Sequence, residues 1–163
     1  MQLCRAILYV KDLERMKRFY GEMLGVHPST QGWSDSWATF QTGGIRFSLH
    51  AIPAEIGKSI EIESPPIPRE EIPVKLVFEV MDVELERARL ESLGIHTLRR
   101  PWQKLGEACD AVDPEGNVFQ ICSPAVSLNE FYKKGCQEKS FAATGGDFFS
   151  RSSPLCFVIP EQA

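Results

Sequence analysis

The sequence predicts an α+β fold of two tandem βαβββ modules, and three observations predict it. Residues 3–25 read as one strand feeding one amphipathic helix. The same order of signals returns from Val74 onward. Between them Pro53, Pro65, Pro66, Pro68 and Pro73 punctuate a charged stretch whose proline density argues against regular structure. The chain therefore divides into a first module (1–52), a linker (53–73), a second module (74–123) and a C-terminal extension (124–163).

In the first module, residues 3–10 carry Leu, Ile, Tyr and Val without Gly or Pro and suit a strand. Asp12 offers an N-cap carboxylate, and Leu13, Met16, Phe19, Tyr20, Met23 and Leu24 make an apolar stripe at helical spacing. Gly25 ends that helix in the left-handed conformation. Residues 26–31 suit an edge strand broken by Pro28, and Gly32 with Ser34 and Asp35 marks a turn. Residues 36–41 and 45–51 are strands joined by a Gly43-Gly44 hairpin.

The second module follows the same plan. Residues 74–80 are a strand, and Asp82 caps a helix with Leu85, Ala88, Leu90 and Leu93 apolar, ended by Gly94. Strands at 96–100, 105–112 and 117–122 follow, the last two joined by the Asp113-Pro114-Glu115-Gly116 turn. Aligning Val10-x-Asp12 with Val80-x-Asp82 places Arg5 on Lys75 and Tyr9 on Glu79. Aligning Gly44-Ile45 with Gly116-Asn117 places Ser48 on Gln120. Past Pro124 the repeat is exhausted: Ser127 to Glu130 has capping-box spacing, and 155–159 could be a strand or a segment packed on another subunit.

Composition narrows the function. Hydrophobic residues at 43% and charged residues at 25% fit a packed globular chain, and a net charge of -4 argues against a nucleic-acid surface. No apolar run reaches membrane-span length, and the first ten residues lack signal-peptide features. Five scattered cysteines with no CxxC point to reduced thiols and a cytoplasmic location.

Val10-x-Asp12-Leu13, Phe19-Tyr20-x-x-x-Leu24-Gly25, Gly43-Gly44, Leu93-Gly94 and Asp113-Pro114-x-Gly116-Asn117, in that order and duplicated, resemble the vicinal oxygen chelate superfamily. That superfamily includes glyoxalase I, bleomycin-resistance proteins, fosfomycin-resistance enzymes and extradiol dioxygenases. The resemblance covers residues 3–123 and implies that the modules pair edge to edge. Eight strands would then curl into a cup, with the helices on its convex side. It also implies metal ligands, in the metal-dependent members, at the middle of the first and fourth strands of each module. Here those positions read Arg5, Ser48, Lys75 and Gln120. Arg cannot deprotonate, Lys must lose a proton first, and Ser and Gln are weak neutral donors where divalent metals want imidazole, carboxylate or thiolate. No metal and no cofactor are therefore expected.

Strand alternation assigns Leu3, Arg5, Ile7, Tyr9, Arg46, Ser48, His50, Lys75, Val77, Glu79, Val118, Gln120 and Cys122 to the cup. The candidate ligand-binding residues are Arg5, Arg46, Ser48, His50, Lys75, Glu79 and Gln120. Arg5 and Lys75 could equally pair with Glu79 in an internal ion network, and Arg46 and His50 could be solvated rim residues. His27 and His96 read as surface, and Trp33, Trp37 and Trp102 could wall a pocket or pack in the core. Three functions are open. The leading one is a glyoxalase/bleomycin-resistance-like protein whose metal-free cup binds a small anionic molecule, because three cations line it. The alternatives are a metal-dependent lyase or dioxygenase of the same superfamily, or an enzyme with Lys75 or Glu79 as general base, and a regulatory module whose cup its own side chains fill. A homodimer is expected, with no nucleic-acid or membrane partner.

Overall fold

A computed structural model of the chain describes residues 2–29 and 32–124. The first module contains strand β1 (Arg5–Val10), helix α1 (Leu13–Arg18) and strands β2 (Trp37–Thr42) and β3 (Ile45–Ala51). A one-turn helix, α2 (Ala54–Gly57), follows. The second module contains β4 (Val77–Glu79), α3 (Val83–Ser92), β5 (Thr97–Leu98), β6 (Ala108–Val112) and β7 (Val118–Cys122).

Both helices start where their aspartates place them. Asp12 accepts from the Arg15 amide at 3.0 Å, and Asp82 accepts from the Leu85 amide at 2.9 Å. α1 widens into a π-helical turn at Phe19–Met23, and Gly25 leaves it at φ 74°. α3 buries Val83 and Leu90, whereas Leu85, Ala88 and Leu93 are exposed, so its apolar stripe is narrower than expected. Leu85 lies two residues from Val83 and so points about 200° around the helix from it.

The strands form two sheets, in the orders β1-β3-β2 and β4-β7-β6-β5. Each sheet pairs its first and last strands in parallel and its hairpin strands antiparallel. The two orders therefore match, with one difference: the outer place held by β5 is taken in the first module by an isolated bridge from Pro28 to Phe40. Proline cannot extend a ladder there. Eight strands in one curved sheet were expected; the described residues give seven in two sheets, with no ladder from β1 to β4. The segment at 155–159, the capping box at 127–130 and the rest of the extension past Pro124 lie outside the described residues.

The halves meet through the helix-side faces of their sheets. Phe47 and Phe78, Phe19 and Phe119, and Tyr20 and Phe78 place their ring centroids 6.4, 5.8 and 6.2 Å apart. One core cluster draws Val10, Met16, Phe40 and Leu49 from the first module and Leu90, Ala111, Phe119 and Ile121 from the second. Two polar links cross the same seam. Buried Glu115 accepts from the Lys11 and Asp12 amides at 2.8 and 2.7 Å, and the Tyr20 hydroxyl donates to Asp113 at 2.9 Å.

The proline-rich stretch, which the sequence leaves open as a linker or an excursion, makes contacts back to the fold. Pro53 stands at the start of α2, the one helical place where its missing N–H costs nothing. Lys11 then holds the Ile60 carbonyl. Further on, the Arg69 amide donates to the Gly116 carbonyl at 2.8 Å, and Arg100 Nη2 donates to both Glu70 carboxylate oxygens at 2.6 and 2.7 Å.

Candidate functional site

On the first sheet, register decides which side chains share the face away from the helix. Arg5, Ile7 and Tyr9 of β1 stand beside Arg46, Ser48 and His50 of β3, and these beside Gln41, Thr39 and Trp37 of β2. Four predicted residues, Arg5, Arg46, Ser48 and His50, are thereby brought together. Paired strands lie about 4.8 Å apart, so the two arginines are immediate neighbours. A cavity of about 430 Å³ opens here, lined by Arg5, Arg46, Gln41, Trp37 and Thr39, with Ser29 and Gly32 at its margin.

A hydrogen-bonded chain shapes its floor. The Trp37 indole N–H donates to Thr39 Oγ1 at 2.8 Å, and Thr39 Oγ1 lies 3.2 Å from Ser48 Oγ. Both hydroxyls are buried, so each satisfies the other. The fixed Trp37 ring receives the Arg5 guanidinium 5.3 Å from its centroid. His50 sits between Trp37 and Tyr9, at centroid distances of 4.9 and 5.2 Å. Its Nδ1 is buried with no hydrogen-bond partner among the described residues. Neither Arg5 nor Arg46 has a carboxylate partner among the described residues.

The second sheet uses the equivalent places differently. Gln120 aligns with Ser48, and its cross-strand neighbour is Asp110, where the first module has Thr39. Asp110 is fully buried and is the hub of this face. It accepts from Lys75 Nζ at 2.8 Å, Gln103 Nε2 at 2.8 Å, Arg100 Nε at 3.1 Å and Gln120 Nε2 at 3.1 Å. Burial pushes its pKa up, but the hydrogen bonds from Lys75, Gln103 and Arg100 outweigh that and hold it below the usual carboxylate range.

Lys75 thus pairs with Asp110 and not with Glu79, and the internal ion network expected around Glu79 is built around a residue the sequence reading passed over. Glu79 stands on β4, outside the Asp110 cluster and outside the cavity beside Arg5 and Arg46. Its register partner is Cys122. The missed signal for Asp110 was a lone carboxylate inside the apolar strand Ala-Cys-Asp-Ala-Val, and for Trp37 and Thr39 it was same-face alternation on β2. Of the remaining tryptophans, Trp33 donates to the Thr39 carbonyl at 3.0 Å, while Trp102 is 75% exposed.

The four strand positions do not fit a divalent metal. Arg5 cannot deprotonate, Lys75 Nζ is already committed to Asp110, Ser48 is engaged with Thr39, and only the amide oxygen of Gln120 is left. Among the described residues no three His, Cys, Asp or Glu side chains gather in a group that could hold one. Nor is any helix among them long and apolar enough to cross a membrane.

A glyoxalase-like domain model matches residues 5–122, so the chain belongs to the glyoxalase-like domain family. Solved structures share the fold at low identity. A lactoylglutathione lyase from Agrobacterium tumefaciens is 21% identical over 76% of this chain and 93% of its own, with a TM-score of 0.53. The fosfomycin resistance protein FosX from Listeria monocytogenes is 17% identical over 82% and 97%, with a TM-score of 0.57. A glyoxalase/bleomycin resistance protein/dioxygenase family enzyme from Burkholderia phytofirmans is 20% identical over 76% and 98%, with a TM-score of 0.57. No curated protein matches the sequence.

Proposed function

We propose that this glyoxalase-like chain binds a small anionic molecule at the cavity beside Arg5 and Arg46, and does so without a metal. The observation that carries the reading is the pairing of Arg5 with Arg46 on adjacent strands, with no carboxylate partner for either among the described residues. Two arginines lining one cavity repel, and an anion between them removes the repulsion. Each offers the planar fork that suits a carboxylate. Trp37, fixed by Thr39, adds a flat apolar wall, so a carboxylate on a flat body is the ligand class that fits.

Lys75 no longer belongs to the anion site, because Asp110 already neutralises it. The same contact argues against Lys75 as a general base, since its Nζ already donates to Asp110 Oδ2 at 2.8 Å and does not face the cavity beside Arg5 and Arg46. The lyase and resistance activities named for the structural neighbours give no reason to prefer an enzyme here, where the donors for a metal centre do not fit.

We further propose that the full cup of eight strands is completed between two copies of the chain. Among the described residues β1 and β4 each leave one edge without a ladder. Ile7, Tyr9 and Val77 on those strands are 45, 57 and 52% exposed. The thiols of Cys4 and Cys109, which form no disulfide, suit a reducing, cytoplasmic setting.

A thermal-shift comparison of benzoate with benzamide tests the binding reading. Benzoate at 100 times its dissociation constant should stabilise the protein by about 2.7 kcal/mol. Stabilisation by the amide as great as by the acid would reject the anion site.

A further inference from the structure

The geometry points to a second ligand site, on the helix side of the fold, for a small amphiphilic anion: one carboxylate or similar head on an apolar body. A cleft of about 470 Å³ lies between α1 and the second module. That volume is within the usual range for small-molecule sites. Its floor is apolar, with Phe19, Met23 and Ile95, and residues 65–66, both prolines, form one wall. Its rim carries Arg15 and Arg18, three residues apart on one helix and therefore on one face. Both guanidiniums can converge on a single head group there, and neither has a carboxylate partner among the described residues.

The carboxylate nearest the cleft does not compete for them. Asp113 lines its base but is fully buried. Its oxygens already accept from the Tyr20 hydroxyl, the Asn117 side chain and the Glu115 and Asn117 amides at 2.7–2.9 Å. What remains is an apolar trough with positive charge at one side only. That asymmetry selects a molecule with an anionic head and an apolar body. It disfavours a fully polar anion, which would leave the floor unfilled, and a neutral apolar molecule, which would leave the arginines unpaired.

The test is calorimetry on the full chain with octanoate and with octanamide. Octanoate should bind at least 10-fold more tightly than the amide. The double variant Arg15→Gln/Arg18→Gln should lose at least 10-fold for octanoate with an unchanged melting temperature, since both side chains are exposed. In an Arg5→Gln/Arg46→Gln background, which removes the site proposed above, octanoate should still bind more tightly than octanamide, and adding Arg15→Gln/Arg18→Gln should abolish that preference, which separates the two cavities. Met23→Trp, which fills the floor, should also abolish binding. Equal binding of acid and amide, full affinity in the Arg15/Arg18 variant, or a loss that follows Arg5 and Arg46 instead would overturn the proposal. So would an absence of octanoate binding to the full chain.

Discussion

Asp110 gathers four donors from three stretches of chain, and its removal would leave Lys75, Arg100, Gln103 and Gln120 competing for water at a covered face. Lys75 and Arg100 retain 42 and 17% of their side-chain exposure, so they can be partly rehydrated. Asp110→Asn should therefore cost about 1.5–3 kcal/mol at neutral pH, the range for hydrogen bonds to a charged group. The acid response should change with it. A carboxylate whose folded pKa lies below its unfolded value, about 3.9, contributes stability that is complete above that value and is lost as the pH falls through the folded one. Asp113 runs the other way: burial raises its pKa despite four donors, so its ionisation opposes folding and acidification relieves that cost. Urea melts from pH 7 to pH 3 should show wild type losing stability below about pH 4, and Asp110→Asn losing less. An identical acid loss in both proteins would show that Asp110 does not carry the effect.

At the scale of elements, the turn at residues 113–116 joins β6 to β7 and also receives the excursion. Gly116 has φ 86°, and a Cβ there would lie 2.5 Å from the Ile67 carbonyl oxygen. Gly25 has φ 74° but open space around its missing Cβ. Gly25→Ala should cost only the left-handed backbone penalty, about 1–2 kcal/mol. Gly116→Ala should cost clearly more, because the Ile67 backbone must also move, and equilibrium unfolding of both variants measures the difference. Equal costs would mean that the excursion does not press on the turn. These two glycines also mark how far the sequence was legible. Caps, hairpin and turn residues declare themselves locally, so Asp12, Asp82, Gly43-Gly44 and Asp113 to Gly116 were found in place. The approach of Ile67 to Gly116 is set by how the excursion returns across the second module, and no local pattern records it. The same holds for Lys75, which finds its partner Asp110 35 residues away on β6, a pairing that no local pattern records. Arg5, Arg46, Ser48 and His50 were readable because period-two alternation alone puts them on one face.

For the whole molecule, two sheets with matching strand orders share one core through their helix-side faces, while β1 and β4 keep open edges among the described residues. Open edges carrying exposed apolar side chains are surfaces that a second copy can cover. Sedimentation at micromolar concentration should show a dimer, and Ile7→Lys or Val77→Lys should shift it to monomer; a monomeric wild type would contradict assembly through these edges. The central claim is that Arg5 and Arg46, and not Lys75, receive an anion. Calorimetry with benzoate and benzamide on wild type, Arg5→Met, Arg46→Met and Lys75→Met tests it most directly. The expected result is a loss of at least 10-fold in benzoate affinity for each arginine variant, about 1.4 kcal/mol, with little change for Lys75→Met and none for the amide. Equal binding of acid and amide by wild type, or a loss that follows Lys75 while both arginine variants bind normally, would contradict it.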